Sequence, residues 1–69
     1  MNYFTNHLYT LGSTGYKVKN ELYTSREDAK REMYRIIDKR HLHVVKKYDD
    51  VHSKTYICEG GIEFYINRV

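Results

Sequence analysis

Thr24-Ser25-Arg26-Glu27-Asp28-Ala29-Lys30-Arg31-Glu32-Met33-Tyr34-Arg35-Ile36-Ile37-Asp38-Lys39-Arg40 is the stretch that decides the fold. It opens on hydroxyl and acid residues at capping-box spacing. Thr24 with Glu27, or Ser25 with Asp28, can satisfy the orphan N–H groups of a first helical turn. Ala29, Met33, Ile36 and Ile37 then recur at i, i+4, i+7 and i+8, which makes one apolar stripe. Arg26, Lys30, Arg31, Arg35 and Asp38 occupy the opposite side. Glu27 and Asp28 sit at the positive end of the helix dipole, Lys39 and Arg40 at the negative end. The spacing predicts an amphipathic helix over about residues 25–40, with ends placed to within about two to four positions.

The residues on either side read as strands. Tyr3 to Leu11 is rich in β-formers. Gly12-Ser13-Thr14-Gly15 reads as a hairpin loop, and Tyr16 to Tyr23 as its return strand. Within that strand Tyr16, Val18 and Leu22 would share one face, while Lys17, Lys19, Glu21 and Tyr23 would share the other. Beyond the helix, Leu42, Val44 and Val45 begin a third strand that reaches Tyr48. Asp49-Asp50 marks a turn or bulge. Lys54–Cys58 and Ile62–Asn67 flank Glu59-Gly60-Gly61, where either Glu59-Gly60 or Gly60-Gly61 could supply a tight two-residue turn. Both of those turns place Thr55 and Ile57 on the face of Ile62 and Phe64. Tyr56, Cys58, Glu63 and Tyr65 then fall on the other.

The resulting order is β-β-α-β-β, an α+β fold in one domain spanning 1–69, with one helix on one face of an antiparallel sheet. The inner face is expected to hold Leu8, Val18, Leu22, Ile57, Ile62, Phe64 and Ile66 against the helix stripe. The outer face is expected to carry Tyr56 and Tyr65, with Tyr23, Lys17 and Lys19 around them.

Composition bounds the class of function. A chain of 69 residues buries only about 60% of its unfolded surface, which leaves little room for a dry active site. No apolar run approaches the roughly 18 residues that span a bilayer. Met1 to Asn6 lacks the basic and apolar regions of a signal peptide, and Cys58, the single cysteine, permits no intrachain disulfide. These features predict a soluble cytoplasmic protein. The net charge of +3 is compatible with nucleic acid or an acidic protein surface and requires neither. Lys, Asn, Ile and Tyr abound, Pro is absent and Ala occurs once. Such usage fits A/T-rich codons, as in a low-GC bacterium or one of its phages.

No catalytic pattern emerges. Cys58 with His43 or His52 has no spacing that implies an activated thiol. His41-x-His43, with His52 and Cys58, lacks the paired short spacings of zinc sites. Gly12-Ser13-Thr14-Gly15-Tyr16-Lys17 lacks phosphate-loop spacing and precedes a strand rather than a helix. The sequence therefore predicts no enzyme, no metal and no cofactor.

Two surfaces invite a binding role. Tyrosines at Tyr23, Tyr56 and Tyr65, with Lys17 and Lys19, suit a protein interface, since Tyr gives contact area at low entropy cost. Solvent-facing strand positions also favour Tyr for propensity alone. The leading expectation is a protein-binding module, such as a phage or mobile-element accessory protein that modulates or inhibits a host protein. The alternative is a nucleic-acid-binding domain that stacks bases on tyrosines and uses Lys30, Arg31 and Arg35 of the helix. The sequence signature of the RNA-recognition motif is absent. Self-association through an exposed edge at Phe64–Val69 is a third expectation.

Overall fold

The computed structural model describes residues 8–69, and Tyr3 to His7 of the first expected strand lie outside them. Strand β1 is Tyr9–Thr14, β2 Leu22–Tyr23, helix α1 Arg26–Arg40, β3 Val44–Asp49, β4 Ser53–Cys58 and β5 Glu63–Arg68. The strands form one antiparallel sheet in the order β2-β1-β5-β4-β3, and α1 packs on it. The α+β class and the β-β-α-β-β order follow the sequence pattern.

The helix begins where the hydroxyl–acid pairs predict. Ser25 is the N-cap in extended conformation, and the Asp28 backbone N–H donates to its Oγ at 3.1 Å. Ala29, Met33, Ile36 and Ile37 are its buried residues. At the other end His41 turns left-handed at φ 55°, ψ 44°. Its N–H reaches the Asp38 carbonyl at 3.3 Å, and the Leu42 N–H reaches Ile37 at 2.9 Å. This pair of bonds is a Schellman motif, and Leu42 then packs against the core.

The core joins the helix stripe to Leu11, Tyr56, Cys58, Phe64 and Ile66. Phe64 and Met33 are fully enclosed, and each such side chain contributes about 1.5–3 kcal/mol of transfer free energy. Tyr16 and Val18 pack on the rim of this cluster, the Tyr16 ring 6.3 Å from Phe64.

Four expectations are corrected. Gly12, Ser13 and Thr14 are paired in β1 opposite Tyr65, Phe64 and Glu63, so the strand runs past the expected loop. It ends at Gly15, whose φ of 93° suits glycine and where a Cβ would stand 3.2 Å from Ile62. Next, residues 15–21 are not a strand, and β2 keeps only Leu22 and Tyr23. Tyr16 and Val18 turn back to the core, which pulls the backbone out of ladder register with β1. Leu22 consequently stays out of the core and is exposed.

The third correction concerns Tyr56. The β4–β5 connection is a three-residue turn, Glu59–Gly61, with Gly60 and Gly61 both at φ 85°. The Cys58 N–H closes it on the Ile62 carbonyl at 2.7 Å. A third loop residue shifts the pairing by one position relative to any two-residue turn, and a one-residue slip exchanges the faces of a strand. Tyr56 therefore pairs with Phe64, and Ile57 with Glu63. Tyr56 and Cys58 are buried under the helix, while Ile57 moves to the outer face. Finally, β5 lies between β1 and β4. Both its edges are filled, so Phe64–Val69 offers no edge for self-association.

Candidate functional site

Among the described residues, nothing covers the sheet face opposite α1. Pairing registers and strand alternation assign it three rows. Leu22, Thr10, Asn67 and Ser53 form one; Gly12, Tyr65, Thr55 and Tyr48 the middle one; Thr14, Glu63, Ile57 and Lys46 the third. Tyr65 and Ile57 are half-buried by neighbours. Tyr48 and Leu22 are exposed at 51% and 57%. One lysine and one glutamate are the formal charges in these rows, so the face is close to neutral.

Tyr65 is held in place. Its hydroxyl lies 2.6 Å from Thr14 Oγ1 and donates to Glu63 Oε1 at 2.9 Å. Its ring covers Gly12, where a Cβ would sit 3.7 Å from Cδ2. Lys46 Nζ lies 5.9 Å from the Tyr48 ring centroid, at the outer limit of a cation–π contact.

The expected site residues separate. Of the partner-binding set only Tyr65 stands on the outer face. Tyr56 is 3% exposed, edge-on to Tyr34, and burial pushes its hydroxyl pKa up, with Tyr34 and Asp49 adding to the shift. Tyr23 pairs with Tyr9 and packs toward the helix. Its pKa is raised by burial first, then by Glu21 and Glu32. Lys17 and Lys19 are exposed on the unpaired 15–21 segment, where Lys19 faces Glu32 closely enough to act on its carboxyl.

Two of the three basic helix residues, Arg31 and Arg35, are compensated. Arg31 pairs with Asp28 at 2.8 Å, in place of the Glu27 partner that i,i+4 spacing offers. Arg35 grips Glu32 with two bonds, at 2.9 and 2.7 Å. That bidentate contact holds the Glu32 carboxyl below its ordinary range. Lys30 is half-buried. Arg31, Arg35, Asp28, Glu32 and Tyr23 line an open cleft of about 460 Å³ between β2 and α1, whose charges already neutralise one another.

Cys58 is buried, and burial raises its thiol pKa, which disfavours the reactive thiolate. Among the described residues no three His, Cys, Asp or Glu side chains gather as a metal ion requires. No helix among them is long and apolar enough to cross a membrane.

The outer-face residues that sequence reasoning missed are Ile57, Thr55 and Tyr48. The signal that could have found Ile57 and Thr55 is the odd length of the Glu59-Gly60-Gly61 turn, and Tyr48 follows from its pairing with Thr55. Both glycines adopt positive φ, so all three residues belong to the loop and the face parity follows.

Fold and surface together define a class: a one-helix, five-stranded antiparallel α+β domain with one sheet face packed and the other open. Comparison of the chain with protein-family models, with curated proteins and with solved structures finds no significant match.

Proposed function

We propose that this domain is a non-catalytic protein-binding module that docks through the sheet face opposite α1, centred on Tyr65, Thr55, Ile57 and Tyr48. The observation that carries this reading is the pairing of an uncovered, near-neutral sheet face with an anchored tyrosine, Tyr65. Interface cores are depleted in charge and enriched in aromatic side chains, and rings already fixed in place lose little entropy on binding. Tyr65 is fixed by Thr14 and Glu63. Hydroxyl and amide groups of Thr10, Thr14, Ser53 and Asn67 supply a polar surround.

The nucleic-acid alternative draws less support. Phosphate contacts need uncompensated cations, yet Arg31 and Arg35 already hold Asp28 and Glu32, and the outer face carries no net charge. A role as an accessory or inhibitory protein, occluding a site on a larger host protein, is the use such a face serves most simply.

The test is affinity capture with paired variants. Ile57→Lys and Thr55→Arg place long cations in the middle of the face without touching the core. Arg31→Glu changes the helix side instead. The proposal expects one set of captured proteins to be lost with the first two variants and kept with the third. Loss with Arg31→Glu alone, or recovery of nucleic acid whose binding collapses with salt, would contradict it.

A further inference from the structure

The outer edge strand carries a pattern that the docking face does not explain. Val45-Lys46-Lys47-Tyr48-Asp49-Asp50-Val51 is a charge palindrome of opposite sign centred on Tyr48. Read forward it runs apolar, two cations, tyrosine, two anions, apolar. β3 ends at Asp49, so when it runs antiparallel to a copy of itself about Tyr48 it sets Lys47 opposite Asp49, and Lys46 comes opposite Asp50, the first residue beyond the strand.

The structure leaves this stretch open. Among the described residues β3 is an edge of the sheet, and residues 45–52 are all exposed. Val45, Tyr48 and Val51 are exposed at 56%, 51% and 73%. The helix packs on β1, β5 and β2, so nothing on its side blocks approach along β3.

The backbone selects the same register. In an antiparallel ladder alternate residues turn N–H and C=O toward the neighbour. Asp50 donates to the Ser53 carbonyl at 2.8 Å, so Tyr48 and Lys46 also face β4. Lys47 and Asp49 aim their N–H and C=O groups outward. Pairing about Tyr48 brings Lys47 opposite the Asp49 of a second copy, and those are the residues whose backbone groups β4 leaves unused; the Asp49 carboxylate, 3.4 Å from Lys54 Nζ of its own chain, is largely exposed and is shared with the incoming lysine. A shift of two positions in either direction would set Lys47 on Lys47, or Asp49 on Asp49. Charged edge residues commonly repel incoming strands. Here the sign reverses at Tyr48, so the edge rejects other registers and complements its own.

We propose that β3 is a homotypic pairing edge. Two copies of this chain join antiparallel about Tyr48 into one continuous sheet, with both helices on the same side. The two outer faces then lie side by side, with their Tyr48 rings adjacent at the junction. This inference rests on β3 alone and stands whether or not the outer face binds a protein.

The experiment is sedimentation of the full chain over a concentration series at low salt, with two charge variants. The interface is small, so self-association is expected at about 0.1 mM rather than at nanomolar concentrations. Wild type should move from the 8.4 kDa chain mass toward twice that mass. Lys46→Asp/Lys47→Asp makes the strand all acidic, and Asp49→Lys/Asp50→Lys makes it all basic. Each should remain a monomer alone, and an equimolar mixture should restore the dimer. A wild type that stays monomeric to about 1 mM, or folded variants that fail to pair on mixing, would overturn the proposal. Lys47→Pro guards against misfolding of the charge variants. It removes an outward N–H that the β3–β4 ladder does not use. A folded Lys47→Pro monomer supports the edge, and a Lys47→Pro dimer as tight as wild type overturns it.

Discussion

The ring of Tyr65 covers Gly12, with Cδ2 3.7 Å from the place a Cβ would occupy. The two residues face each other across β1 and β5, and a side chain that shields a strand glycine compensates for the missing packing there. The Tyr65 hydroxyl then bridges Thr14 and Glu63. Tyr65→Phe keeps the cover and deletes the bridge. It should lower stability by about 0.5–1.5 kcal/mol, read as a lower denaturant midpoint with an unchanged slope.

Tyr56 and Ile57 are neighbours with opposite fates, set by the three-residue turn. Tyr56→Ala opens a cavity beneath the helix and should cost about 3–5 kcal/mol, as deletion of a large aromatic core side chain does. Ile57→Ala, on the open face, should cost well under half of that. Chemical denaturation of both variants checks the register. Similar losses, or a larger loss at Ile57, would place β4 one residue out.

How much of this was legible in sequence depends on the range of the interactions involved. The helix was read closely because its determinants are local: Ser25 caps Asp28 within one turn, and Ala29, Met33, Ile36 and Ile37 repeat at helical spacing. The buried sides of Phe64 and Ile66 are legible too, since their own strand alternates. The side of Tyr56 was not, because it depends on loop parity at Gly60-Gly61 and not on anything in β4. Residues 16–21 misled for another reason. Tyr16 and Val18 alternate like a strand, yet they bury themselves against Phe64 and the helix end without a ladder. Of the residues expected on the outer face, Tyr65 lies there; Ile57 and Tyr48 come to it only through the register.

His41 holds a left-handed conformation that costs a side-chain-bearing residue about 1 kcal/mol and glycine nearly nothing. His41→Gly should raise stability by up to that amount while keeping the Schellman bonds to Asp38 and Ile37. A thermal melt measures it. No gain, or a loss, would mean that the imidazole makes a compensating contact.

Glu32 links stability to pH. Arg35 keeps its carboxyl below the ordinary value of 4.5, so the folded chain holds this proton less readily than the unfolded chain. The contribution is present above 4.5 and is lost as pH falls through the depressed folded value. It is small, because the pair is partly exposed and solvent screens it. The stability difference between wild type and Glu32→Gln should favour wild type at neutral pH and shrink on acidification below that value. A difference that grew toward acid would reverse the sign of the linkage.

The open sheet face is the central claim, and site-specific photocrosslinking tests it most directly. A photoreactive side chain at Ile57 stands in the middle of the face, and one at Lys39 stands on the exposed end of the helix. The account predicts a discrete cross-linked partner protein from the Ile57 probe, competed away by unlabelled chain, with none from the Lys39 probe. Cross-links from Lys39 alone, or from Ile57 only to nucleic acid, would contradict it.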